Sequence, residues 1–216
     1  MTTDGVKKMN ENKYLNDLDD DFVSKQPIYK DISNFSDLDS LIKSGKKEII
    51  LENDIILDLN CNEKEKYADG IKITTNNLVI DGKGYSIDAL GKVSIFETMG
   101  KNITIRNLTL KNGFNEVKGG AVSNYDELLI DACNFLENTS QDIGGAVYNH
   151  DNTNLTINKS KFYNNEAKNS QLLSLGGVIY NNGGLIKIID SDFKYNTSDI
   201  AGAIFNCNWG HISIDS

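Results

Sequence analysis

The chain has 216 residues, enough for one domain with a sizeable core, and its 39% hydrophobic and 25% charged residues exclude global disorder. A net charge of -9, with Arg106 as the sole arginine, argues against nucleic acid, an anionic membrane or acidic sugars as partners. Three widely spaced cysteines predict neither a disulfide framework nor a metal site.

The N-terminal third predicts a tail followed by a capping helix. Residues 1–30 are polar and acidic, and we expect them to form a flexible acidic tail. Apolar residues then follow helical spacing from Phe35 to Ile42, with Ser36 as the expected N-cap and Gly45 as the end of the helix. Such a helix would cover the open end of a β-solenoid.

The main signal is an internal repeat. Short alternating apolar cores begin 25 residues apart at Leu78, Ile103 and Leu128, and they recur at Leu155, Ile186 and Ile212 after 27, 31 and 26 residues. Period-2 alternation indicates strands, and short strands at this spacing bury their apolar faces only by stacking. We therefore predict an all-β, right-handed parallel β-helix over residues 31–216, with about 25 residues per coil and a short N-terminal capping helix.

A glycine-pair motif recurs at a fixed distance from these cores, as GGAVSN, GGAVYN, GGVIYN and AGAIFN. We expect the glycine pair to allow a tight corner where the backbone turns between sheets. We expect its asparagine to adopt positive φ and to stack along the rod. These repeat positions are Gly120, Gly145, Gly177, Gly202, Asn124, Asn149, Asn181 and Asn206.

A third motif, FxxN, follows each later core and contains Phe135, Phe162 and Phe193. Because the motifs keep a constant order, the three phenylalanines should stack inside the rod, with Leu110 in the equivalent place one coil earlier.

The pairing of GGAI-like and FxxN motifs resembles the repeats of chlamydial polymorphic outer-membrane proteins. The Asn/Ile/Lys-rich style is similar to adhesin-like surface proteins of methanogenic archaea. The resemblance implies a pectin lyase-like parallel β-helix in an extracellular or cell-surface protein with an adhesive or scaffold role, and no catalytic mechanism. It implies a glycan or a protein on a host or neighbouring cell as the ligand. No cofactor, nucleic acid or membrane insertion is expected.

The β-helix fold also supports carbohydrate-active enzymes of the pectin lyase-like type, which is the alternative function. Glycosidases need two carboxylates that face one bond. Asp81 and Asp131 flank Arg106 at equivalent positions of successive coils, but an ordinary charge ladder explains this pattern better. His150 and His211 have no metal-ligand spacing, and Cys133 replaces the serines of later coils. We therefore favour a non-catalytic protein without a metal.

The aromatic side chains of the glycine-pair motif are the candidate ligand-binding residues. Tyr148, Tyr180 and Phe205 occupy one repeat position, which Ser123 occupies in the coil before. If this position faces outward, it forms an aromatic stripe able to contact a sugar or a protein. If it faces inward, it is core. The β-branched neighbours of these residues resemble core, so the outward orientation is favoured.

Two insertions and the C-terminal end complete the chain. Residues 61–70 and 166–175 lengthen their coils, and insertions of this kind often carry binding, although ordinary loop variation explains them better. The sequence stops inside a predicted strand at His211–Ser216. We expect a truncated domain, with further coils of the same chain or another subunit at this edge.

Overall fold

The computed structural model describes residues 32–215, so the predicted tail over residues 1–30 lies outside the described part. The helices are α1 (Phe35–Lys43) and α2 (Glu63–Lys66). The strands of the first three coils are β1 (Glu48–Ile50), β2 (Ile55–Ile56), β3 (Ile71–Ile73), β4 (Val79–Asp81), β5 (Ser86–Asp88), β6 (Phe96–Thr98), β7 (Ile103–Arg106), β8 (Thr109–Lys111), β9 (Phe114–Asn115) and β10 (Val122–Asn124). The later strands are β11 (Glu127–Asp131), β12 (Asn134–Leu136), β13 (Thr139–Ser140), β14 (Val147–Asn149), β15 (Asn154–Asn158), β16 (Lys161–Tyr163), β17 (Glu166–Ala167), β18 (Ile179–Asn182), β19 (Leu185–Ile189), β20 (Asp192–Lys194), β21 (Ile204–Cys207) and β22 (His211–Asp215).

The strands stack into a parallel β-solenoid of about six turns, which confirms the predicted fold class. Sheet I contains seven strands (β1-β4-β7-β11-β15-β19-β22), and sheet II contains six (β2-β5-β8-β12-β16-β20). Sheet III also contains six (β3-β6-β10-β14-β18-β21), and sheet IV contains three (β9-β13-β17). Equivalent residues of the sequence repeat are paired in register between neighbouring strands: Ile103 pairs with Leu128, which pairs with Leu155.

Helix α1 packs its apolar face against the first coil, as predicted. Phe35, Leu38 and Ile42 are at most 1% exposed, and the positive φ of Gly45 follows the helix end. The N-cap prediction was wrong: Asn34, not Ser36, accepts the hydrogen bond from the Asp37 N–H at 2.9 Å. Asparagine is as good an N-cap as serine, and the N-cap lies two residues earlier than predicted.

Helix α2 and the residue after it fix α1 in place through buried polar contacts. Glu63 is 2% exposed, and its two carboxylate oxygens accept 2.6 Å hydrogen bonds from the backbone N–H groups of Ser36 and Asp58. The Tyr67 hydroxyl donates to Asp39 at 2.9 Å, and its ring lies 5.8 Å from that of Phe35. A buried carboxylate is stable here because its oxygens are hydrogen-bonded.

The core is a set of columns in which each residue contacts its equivalent in the next coil. The predicted phenylalanine column is confirmed: the Phe135 and Phe162 centroids are 4.6 Å apart, and those of Phe162 and Phe193 are 4.7 Å apart. Leu110 pairs with Phe135 one coil earlier, as expected. Each ring buries its faces against the rings of the neighbouring coils. The stabilisation from burying apolar surface therefore comes from contacts between coils rather than within one coil.

The asparagines of the glycine-pair motif form a ladder that is buried from Asn124 to Asn181 and ends at the exposed Asn206. The Asn124 side chain donates to that of Asn149 at 2.8 Å, and the ladder continues to Asn181 at 2.8 Å and to Asn206 at 2.7 Å. The stacking prediction is confirmed, but the predicted positive φ was wrong, because these residues continue their strands with extended backbone. A second ladder joins the FxxN asparagines Asn138, Asn165 and Asn196.

The two glycines of each pair are needed for different reasons. The first has positive φ, as in Gly144 at 62°, and Ala201 is forced into the same region at 62°. The second lacks space: a Cβ on Gly145 would collide with the Gly177 carbonyl of the next coil. Close approach of the coils, rather than positive φ, is therefore the constraint on the second glycine of each pair.

We predict that Phe162→Ala lowers the free energy of unfolding by about 3–5 kcal/mol, because both ring neighbours lose their contact and a cavity is left. Urea unfolding monitored by circular dichroism measures the change. Tyr163→Ala, on the outer face of the same strand, is the matched control and should cost less than about 1 kcal/mol. Equal losses for the two variants would contradict the stacked core.

We predict that Asn149→Ala destabilises the fold by about 1–3 kcal/mol for each buried group that loses its partner. Those groups include the amide of Asn124 and the hydroxyl of Thr153, which donates to Asn149 at 2.9 Å. Asn154→Ala, at an exposed position of β15, is the control and should leave the urea midpoint nearly unchanged. A neutral effect of Asn149→Ala would show that the ladder contributes no stability.

Candidate binding surface

The predicted aromatic residues share one column on the outer face of sheet III. Tyr148 pairs in register with Tyr180, which pairs with Phe205. Their neighbours Val147 and Ile179 belong to the buried core, so alternation places the aromatic rings on the opposite face. We call Tyr148, Tyr180 and Phe205 the aromatic stripe.

The rings of the aromatic stripe stack on one another along the rod. The Tyr148 and Tyr180 centroids are 5.9 Å apart at 10°, and those of Tyr180 and Phe205 are 5.4 Å apart at 17°. Tyr148 is only 6% exposed, whereas the other two rings are half-buried. Because the ring faces contact each other, the stripe presents ring edges outward. Edges suit contact with a protein surface better than stacking on a sugar ring, which needs a free face.

Lys118 and Tyr125 extend the stripe towards the N-terminal coils. The Lys118 ammonium lies 5.0 Å from the Tyr125 ring centroid and 5.1 Å from that of Tyr148, and it donates to the Tyr125 hydroxyl. Burial lowers the pKa of Lys118. The hydrogen bond to Tyr125 and the charges of Tyr125, Tyr148 and Glu97 raise it by more, so the pKa of Lys118 lies above its usual 10.5. Lys118 is therefore a cation held between two aromatic rings.

Glu97 and Lys72 continue the same column beyond Ser123. Glu97 is 8% exposed, and its Oε2 accepts no hydrogen bond from any residue between 32 and 215. The Lys72 ammonium lies 3.2 Å from that oxygen as an ion pair. The column thus changes along the rod from aromatic rings to a cation and a buried carboxylate, with the small Ser123 between them.

The stripe hydroxyls are held by neighbouring polar groups. The Asn182 amide donates to the Tyr148 hydroxyl at 3.2 Å, and the Cys207 thiol lies 3.2 Å from the Tyr180 hydroxyl. Burial raises the pKa of both tyrosines, and Cys207 raises that of Tyr180 further. Both therefore stay neutral at physiological pH and can donate or accept hydrogen bonds at the surface.

The charge ladder that the sequence favoured over an enzyme site is present only in part, because Arg106 pairs with Asp81 but not with Asp131. Arg106 donates to Asp81 at 3.0 Å and to Glu48 at 3.1 Å, while Asn158 donates to Asp131 at 2.7 Å. Burial raises the pKa of Asp81, but hydrogen bonds from Lys83 and Asn107 and the Arg106 charge lower it by more. A glycosidase proton donor needs a raised pKa, so Asp81 does not suit that role.

Other reactive side chains are held in unreactive settings. Cys133 is 1% exposed, and burial raises its pKa to about 12, which keeps it a thiol rather than a nucleophilic thiolate. The His150 Nδ1 contacts the Asp151 carboxylate, and the His150 ring packs against Tyr125 at the edge of the stripe. Among residues 32–215, no group of three or more His, Cys, Asp or Glu side chains is arranged to hold a metal.

Sequence comparison provides one distant relative. No family model matches the chain, and no solved structure matches it. A stretch of 119 residues, 54% of the chain, is 31% identical to part of "Metabotropic glutamate receptor-like protein R" from Dictyostelium discoideum. The chain spans 7% of that protein. Neither helix in the described range is long and apolar enough to cross a membrane.

We predict that Asp81→Asn lowers the free energy of unfolding by about 1–3 kcal/mol at pH 7, because the charge-assisted bond to Arg106 is lost. The folded pKa of Asp81 lies below 3.8, so its contribution is full above that value and is lost as the pH falls through the folded pKa. The difference between the urea midpoints of the two proteins should narrow as the pH falls below 3.8. Asp131→Asn, at a half-buried position, is the control and should lower the free energy of unfolding by less. A difference in urea midpoint between wild type and Asp81→Asn that stayed constant with pH would contradict the predicted pH dependence.

Proposed function

We propose that this chain is a non-catalytic binding or scaffold module of a cell-surface protein, and that its outer stripe contacts a protein partner. The observation that carries the proposal is the in-register stack of Tyr148, Tyr180 and Phe205 on the outer face of sheet III, opposite the core.

The chemistry of this face favours a protein over a sugar. Protein interfaces are enriched in tyrosine and phenylalanine, surrounded by polar groups that set orientation. Here the half-buried rings of Tyr180 and Phe205 present their edges, and Lys118 and His150 flank the nearly buried Tyr148. Six strands at about 4.8 Å spacing make a face roughly 25 Å long, which suits an interface of ordinary size.

The charged end of the column would add selectivity. Lys72, Glu97 and Lys118 lie next to the stripe, and the Lys72 ammonium pairs with Glu97 Oε2 at 3.2 Å. Partner groups that set like charges against these residues would be repelled. The face therefore fits a partner that places apolar or aromatic residues on the stripe and complementary charges beside it.

Two similarities support the surface location. The motifs resemble those of adhesin-like surface proteins and of chlamydial outer-membrane repeats. The Dictyostelium relative bears the name "receptor-like", although the shared stretch spans only 7% of it. A rod of stacked coils with one differentiated face suits a module that is displayed for contact rather than one that encloses a substrate.

The proposal can be tested by selecting phage-displayed peptides against the immobilised domain and measuring the affinity of the winners for variants. We expect dominant peptides to lose tenfold or more in affinity for Tyr180→Ala and for His150→Ala, as at an interface hot spot. Tyr163→Ala, on the outer face of sheet II, is the matched control and should bind them unchanged.

Two results would contradict the proposal. Peptides that bind Tyr180→Ala and Tyr163→Ala equally well would place the preferred contact elsewhere on the rod. New reducing ends after incubation with a panel of polysaccharides would show the carbohydrate-active enzyme instead, and the carboxylates of sheet I would then be the place to search.

A further inference from the structure

A cleft lies over the second coil, away from the aromatic stripe. The segment that joins sheet II to sheet III has fourteen residues in the first coil (57–70), seven in the second (89–95) and ten in the third (112–121). A short segment between two longer ones leaves a gap in the side of the rod. The resulting cavity measures about 540 Å³, within the usual range for small-molecule sites.

Each coil contributes one part of the cleft. Lys64 and Asp69 of the first coil form one wall, and Phe114 and Glu116 of the third coil form the other. Lys92 of the second coil lies on the floor. We call this cavity the second-coil cleft.

The walls are fixed by a buried amide. Asn115 is 6% exposed; its side-chain oxygen accepts from the backbone N–H groups of Val117 at 2.9 Å and Lys118 at 3.0 Å. Its Nδ2 donates to Asp69 at 3.3 Å, which links the two walls. Since β9 is the edge strand of sheet IV, this link holds in place an edge that would otherwise be unsupported. The cleft is thus preformed, which lowers the cost of binding.

Three charged side chains at the cleft have no partner within the described part of the chain. Lys64, Lys92 and Glu116 are exposed and form no hydrogen bond or ion pair with another residue between 32 and 215. Together with Asp69, they provide two ammonium groups as donors and two carboxylates as acceptors. The half-buried Phe114 adds an apolar wall between them.

We propose that the second-coil cleft binds a neutral sugar residue of a glycan chain. The lining carries no net charge, so it selects against strongly charged ligands, and the chain as a whole is acidic. Sugar hydroxyls can donate to the carboxylates and accept from the ammonium groups, while the C–H face of the sugar packs on Phe114. The cleft is open to the side of the rod, which lets a polymer enter at an internal residue. This proposal is independent of a protein partner at the aromatic stripe.

The test is native affinity electrophoresis in gels that contain neutral polysaccharides, namely glucans, mannans, xylans and galactans. We expect at least one polymer to retard the wild-type chain. Glu116→Gln and Lys92→Ala should each weaken the apparent affinity tenfold or more, because bonds to charged groups are lost. Ala68→Trp should abolish retardation by filling the cleft. Tyr180→Ala and Lys83→Ala, which lie outside the cleft, should behave as wild type.

The outcomes separate the cleft from the stripe. Retardation that Tyr180→Ala removes and Ala68→Trp leaves intact would assign sugar binding to the stripe and overturn the cleft proposal. No retardation by any of the four polymer classes would overturn it as well, as would calorimetric binding of free amino acids without binding of oligosaccharides. Urea midpoints equal to wild type for Glu116→Gln and Lys92→Ala would exclude unfolding as the cause of a loss.

Discussion

The buried strand residues of the solenoid are packed against their own equivalents one coil away. A strand of three to five residues cannot cover its apolar face alone, and the parallel hydrogen-bond ladder fixes which residue it meets in the next coil. Phe162 therefore contacts Phe135 on one side and Phe193 on the other. The asparagine ladders obey the same constraint with polar groups, since each amide has both a donor and an acceptor to share with its equivalents.

That constraint also explains where surface features arise. An outward-facing residue that differs from its equivalents in other coils changes the surface without disturbing the core. Ser123 is an example, since its small side chain lies between Glu97 and Tyr148 in the same column. A segment that differs in length opens a gap, as in the second coil between its longer neighbours. The stripe and the cleft are thus departures from regular stacking on a backbone that keeps its register.

The features that could be predicted from the sequence are those that recur in every coil. The fold, the phenylalanine column and the asparagine ladder were predictable because each position recurs at a fixed phase. The predicted positive φ of Asn124 and its equivalents was wrong because a side-chain ladder and a turn use the same residue type. Lys118, Tyr125 and Glu97 were missed because they occur once, and their proximity depends on corners that no periodicity describes.

The two asparagine ladders have a direction. In both, the amide nitrogen of each coil donates to the amide oxygen of the following coil, from Asn124 towards Asn206 and from Asn138 towards Asn196. The amide dipoles therefore align and polarise one another along the rod instead of cancelling. The interior of the rod is electrically polar, with oxygen atoms directed towards the first coil and nitrogen atoms towards the last. A single amide turned the other way would set oxygen against oxygen on one side and nitrogen against nitrogen on the other, so all members of a ladder must share one orientation.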